Sequence, residues 1–193
     1  MLRQIVLLLI SSFLFPQSVT SNQSNQPIPY GDADAYEVYS VILPSEWPMS
    51  VARAQTLVIH AETKAYKMCL RPEKDWEEMI GPAISDYEKV NQKTWAIKQK
   101  FDLKIPYKIV NSDELKAAMA DGGWDGFYKH YPKSGGWIEL SAVGFDVDRS
   151  IAVVYMGHSC GDLCGGGTFH VLQKKDGKWA PLAWKGRSCS WAS

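Results

Sequence analysis

The sequence predicts an α+β fold, with N-terminal helices packed on a C-terminal antiparallel β-meander. Three observations predict it. Apolar residues recur at helical spacing in several segments between Asp32 and Met119, and at a period of two from Trp137 onward. The dipeptide Asp176-Gly177 sits between two alternating runs and reads as a two-residue hairpin turn. No internal repeat and no linker divides the chain, and 193 residues suit one domain with a real core.

The chain opens like an export signal. Arg3 precedes the apolar run Ile5–Phe15, and small residues follow up to Ser21. That run is eleven residues long, against the roughly 20 a spanning helix needs. Residues 1–21 are therefore read as a cleaved signal peptide, with no membrane span after cleavage and a secreted or periplasmic destination. Residues 22–31, polar and proline-bearing, read as a flexible leader, and 32–193 as a single α+β domain.

From Asp32 the spacing of Tyr36, Tyr39 and Leu43 predicts a helix that Pro44 and Pro48 end. Residues 56–63 alternate like a strand. Residues 72–80 suggest a short acidic helix with Pro72 in its first turn. A longer helix is expected from Ser85, whose spacing to Glu88 suits a capping box. Its stripe would run through Tyr87, Val90, Thr94, Ile97 and Phe101. Ser112 is expected to cap another short helix, and 121–132 reads as a helical turn or loop. The strands expected last are 137–146, 151–158, 168–175 and 178–184. With the Asp176-Gly177 turn, Lys174 faces Trp179, Val171 faces Leu182 and Phe169 faces Trp184, leaving one apolar face for the helices.

Charge excludes some partners. Lys and Arg balance Asp and Glu at 21 each, which argues against nucleic acid or an anionic membrane surface. Four cysteines in an exported chain suggest disulfides, with Cys160–Cys164 pinning a turn and Cys69–Cys189 tying the helical half to the C-terminus.

The stretch 156-MGHSCGDLCGGGTFHV-171 admits several chemistries. His158, Cys160, Cys164 and His170 are the right side chains for zinc, but their spacing is not that of a zinc motif. A thiol nucleophile with His158 or His170 as base would make a small hydrolase or thiol enzyme. Gly165, Gly166 and Gly167 could cradle an anion, yet no Lys-Ser/Thr ending or following helix makes a P-loop. The stapled turn ranks first, and no cofactor is expected. Asp146 and Asp148 read as turn residues, His60 as a structural strand histidine and His130 as a surface one.

Trp124, Phe127, Tyr128, Tyr131 and Trp137 crowd one glycine-rich segment. They would make either a core plug or a surface for a protein, small molecule or glycan. The preferred reading is a non-catalytic binding or interaction domain, with the hydrolase or thiol/metal enzyme as its rival.

The words GFDVDRSIAVVY, CGDLCGGGTF and KKDGKW, in that order, resemble those of an uncharacterised family of secreted bacterial proteins. Val90-Asn91 and YPKSGG fit the same family, so the resemblance spans most of the mature chain. It implies a bacterial exported protein and no particular activity. Helices followed by a meander ending in DGKW are also similar, more loosely, to NTF2-like and cystatin-like α+β folds, whose members include enzymes and binding modules alike.

Overall fold

The computed structural model describes residues 27–44 and 54–193. The expected signal peptide, the first half of the leader and Pro48 lie outside them. Residues Ile28–Pro29 (β1) come first, then the helix Ala33–Ile42 (α1) and the strand Thr56–His60 (β2). Arg71–Pro72 (β3), Lys74–Val90 (α2), Trp95–Ala96 (β4) and Tyr107–Val110 (β5) follow. Ser112–Met119 (α3), Trp124–His130 (α4), Ser134–Leu140 (β6) and Gly144–Phe145 (β7) come next. The chain closes with Ile151–Gly161 (β8), Cys164–Lys175 (β9), Lys178–Pro181 (β10), Gly186–Arg187 (β11) and Ser190–Ala192 (β12). Among the described residues no helix is long and apolar enough to cross a membrane.

The fold is α+β, but the helices are not gathered at the N-terminus and the sheet is mixed. Its main path runs β10-β9-β8-β6-β2-β5, with β12 on β9 and β7 on β8. The C-terminal part is the expected antiparallel meander. β2, however, pairs in parallel with both β5 and β6. The α3–α4 segment makes the crossover that parallel pairing of β5 and β6 around β2 requires.

The expectation of one apolar face is also corrected, because both faces are buried. Strand β8 shows this directly. Ala152, Val154 and Met156 join α1 in one cluster, while Ile151, Val153 and Tyr155 join α2 in another. The α1 face is continuous: Leu57, Ile59, Ile138, Leu140 and Leu172 meet Tyr36, Tyr39 and Ile42. The opposite face is covered in two separate places. Ile80, Ala83 and Tyr87 of α2 cover one end, and α3 and α4 cover Val58 and Val110 at the other.

Local chemistry explains the boundaries. Asp32 caps α1 by accepting from the Ala35 N–H. α2 is one helix, not two, and runs through Gly81-Pro82. Pro82 lies on the exposed side, where water can serve the carbonyl that its missing N–H abandons. Ser85 is therefore mid-helix and caps nothing. α2 stops at Asn91, whose side-chain amide donates to the Tyr87 and Ala142 carbonyls and whose Oδ1 accepts from the Ala142 N–H. Ile97 and Phe101 do reach the core, but from an extended segment in which β4 pairs with β1. Pro72 belongs to β3 and not to a helix. Asn111, not Ser112, caps α3, in a capping box with Glu114.

The end of the expected leader is structured: β1 pairs with β4, and Tyr30 is buried with its hydroxyl accepting from the Val143 N–H. The hairpin turn stands as read. Asp176 and Gly177 have φ of 51° and 73°, and Lys174 faces Trp179.

Candidate functional site

The CGDLCGGG stretch is a hairpin, and most of it is strand. Only Asp162 and Leu163 form the turn, because Gly161 already pairs with Cys164. A disulfide joins Cys160 to Cys164, with Cα atoms 5.0 Å apart, and a second joins Cys69 to Cys189 at 6.1 Å. Both bridges are those expected from the sequence. They consume every thiol the zinc and nucleophile readings needed.

His158 and His170 point to the α1 side of the sheet. His158 faces Gly166 across the ladder, so the two histidines are four strand positions apart, about 13 Å by strand rise. That is too far to share one ion, and among the described residues no group of three or more metal-ligating side chains converges. Burial pushes the His158 pKa down. The other sequence candidates are structural. Asp146 accepts from the Ser150 and Ile151 N–H groups. His130 sits over the Gly126 carbonyl at 3.0 Å.

The aromatic segment divides. Phe127 is 0% exposed and forms the plug beneath β2 and β5, so it offers no surface. Trp124 stacks on Trp137 with ring centroids 4.7 Å apart. Tyr128 donates to the Cys160 carbonyl, and Tyr131 packs on Phe127. Trp137 alone of the five continues into a cleft.

That cleft, walled by α3 and β6, lies on the face opposite α1, and past Glu139 the same face carries a bare patch between it and α2. Its floor exists because glycines replace side chains. Gly157 of β8 pairs with Gly167 of β9. A Cβ on Gly167 would fall 1.8 Å from the Tyr155 hydroxyl, and one on Gly157 would fall 3.0 Å from it. The bare backbone thus lets the Tyr155 ring lie down across two strands. One further ring stacks on it and another is held at its hydroxyl. Tyr66 stacks at 4.0 Å with an interplanar angle of 15°, and the Trp191 indole N–H donates to the Tyr155 hydroxyl at 2.7 Å. Tyr155 is buried, and burial holds its phenol protonated far above the usual range. Tyr66 and Trp191 are each 40% exposed.

The Cys69–Cys189 bridge joins the two segments that carry these exposed rings. β12 adds a ladder of Ser190, Trp191 and Ala192 against Thr168, Gly167 and Gly166. Beside the rings lies an ion pair. Glu139 of β6 sits opposite Gly157, and Lys64 reaches it at 2.5 Å, with side-chain exposures of 19% and 50%. Beyond the pair, Trp137, Leu115 and Met119 wall a cavity of about 400 Å³.

The same cavity brings His60 Nε2 within 3.0 Å of Ser112 Oγ, a pairing the sequence did not reveal. Its Nδ1 meets main-chain atoms of Glu62 and no carboxylate orients it. Its role is to fasten the start of α3 to β2.

A larger cavity of about 570 Å³ lies against the other face, between α1 and the β9–β10 hairpin. Tyr36, Glu37, Lys100, Lys178 and Trp179 line it. The charges beside it serve the fold: Asp34 binds both Arg149 and Lys174, and its carboxyl pKa is lowered by the Arg149 hydrogen bond first and the Lys174 one second.

The residues that sequence reasoning missed are Lys64, Tyr66, Glu139, Tyr155 and Trp191. A signal for them was present. Gly157, Gly165 and Gly167 share one parity on paired strands, which marks a bare patch where a neighbouring ring can lie. No protein-family model, curated protein or solved structure matches the chain.

Proposed function

We propose that the chain is an exported, non-catalytic binding domain held by its two disulfides, and that its ligand seats in the cleft beside Tyr155. One observation carries this reading. Tyr66 and Trp191 present ring surface to solvent while each is backed by Tyr155 or by glycine backbone. Large aromatic rings left this exposed forgo burial that the fold could have used. Rings fixed beforehand lose little side-chain freedom when a ligand arrives. The paired thiols and the apolar N-terminal run support export to an oxidising compartment.

A ligand-detected magnetic-resonance screen of the mature chain against peptides and soluble glycans tests the reading. Trp191→Ala, run beside the parent, is the control. Ligands that bind the parent and lose affinity for the variant support the cleft. Ligands bound equally by both, or hydrolysis of any of them, contradict it.

A further inference from the structure

Resting on that binding site, we infer that its ligand is a glycan whose sugar rings lie flat on Tyr66 and Trp191. The platform offers faces rather than polar edges. The Trp191 N–H is spent on Tyr155, and one face of Tyr66 is spent in the stack. What remains outward is the π-surface, which carries partial negative charge and suits the C–H face of a pyranose ring.

Polar recognition is supplied from one side. Glu139 accepts and Lys64 donates, and a sugar hydroxyl can do both. Because the two charges compensate each other, the cleft does not demand a charged ligand. The adjacent cavity walled by Trp137, Leu115 and Met119 has room for a further ring or an acyl substituent.

One feature disfavours a peptide. A polyproline peptide docks on aromatic grooves, but its carbonyls need outward donors, and this indole N–H points inward.

The test is calorimetric titration of the mature chain with cellohexaose, chitohexaose and a proline-rich peptide. Tyr66→Ala, Trp191→Ala and Trp191→Phe are compared with the parent, and circular dichroism checks that each variant is folded. The account predicts binding of at least one hexasaccharide. Each alanine variant should weaken it about tenfold or more, and Trp191→Phe should restore most of the affinity because it keeps the flat face. Peptide binding with the same dependence on Trp191, and no glycan binding, overturns the glycan and leaves the binding site standing. Glycan affinity unchanged in all three variants overturns the placement on these rings. Binding of neither sugar nor peptide overturns the inference, and the broader screen then decides whether the cleft binds anything.

Discussion

The two faces of the sheet are built from the same strands to opposite ends. On the α1 face, Tyr39 packs edge to face with Tyr36 and Phe101 over Leu140, Val154 and Leu172, and almost nothing aromatic is left exposed. On the other face the cover splits between α2 and the α3–α4 pair, and Tyr66 and Trp191 stand in the gap. Strand β8 serves both. Its even positions up to Met156 are ordinary core, whereas on the odd side Tyr155 is followed by Gly157 and the sheet becomes a shelf. The closed face, open only at the cavity between α1 and the β9–β10 hairpin, holds the fold, and the open face holds surface that folding did not use.

This contrast can be broken most forcefully from the closed side. Tyr39 is fully buried and donates to the Ser141 carbonyl, so Tyr39→Ala should cost about 3–5 kcal/mol in chemical denaturation. It should do so without changing the affinity of any molecules that remain folded. A loss under about 1 kcal/mol would mean that the α1 face is not the stability centre.

The disulfides sharpen the comparison. Replacing Cys69 and Cys189 together by serine should cost about 2–4 kcal/mol, because the bridge closes a chain separation of 120 residues. It should also weaken ligand binding, since it releases both ring-bearing segments. Replacing Cys160 and Cys164 removes a closure across only four residues and should cost about 2 kcal/mol at most. Equal effects of the two double variants on binding would sever the link between the long bridge and the cleft.

Gly167→Ala asks whether the shelf is real. The added methyl meets the Tyr155 hydroxyl, so the ring must shift, at about 1–3 kcal/mol. The tryptophan emission of Trp191 should change with it. Unaltered emission and stability would show that the glycines are not what seats Tyr155. A smaller effect, about 1 kcal/mol, is expected for Gly177→Val, because φ there is positive.

The smallest effect is a pH dependence. The Asp34 pKa is depressed in the folded state by Arg149 and then Lys174. Its contribution to stability is therefore complete above the unfolded aspartate value and is lost as pH falls through the folded one. Arg149→Ala should flatten the acid limb of the stability curve. A limb unchanged by that variant would leave Asp34 without its assigned partner.

The sequence made legible what local chemistry decides. Asp176-Gly177 set the hairpin and its pairing, as both residues do adopt positive φ. Export chemistry pointed to both disulfides. The α+β class followed from the change in period, but the placement of the helices did not. Residues 72–80 and the stretch from Ser85 read as two helices because the exposed position that lets Pro82 sit inside α2 is a tertiary fact. The parallel pairing of β2 was hidden for the same reason, since nothing in residues 56–60 names its neighbours. Of the candidate surface, only Trp137 reaches the cleft, and Phe127 is its buried neighbour. Tyr66, Tyr155 and Trp191 lie far apart in the chain and meet only once β8, β9 and β12 have paired.

Chemical-shift mapping of the isotope-labelled mature chain during titration with chitohexaose or cellohexaose tests the central claim most directly. The account predicts shifts gathered on Lys64, Tyr66, Glu139, Gly157, Gly167 and the Trp191 indole, with the α1 face silent. Shifts gathered instead around Tyr36, Lys100 and Trp179 would place the ligand on the closed face and contradict it.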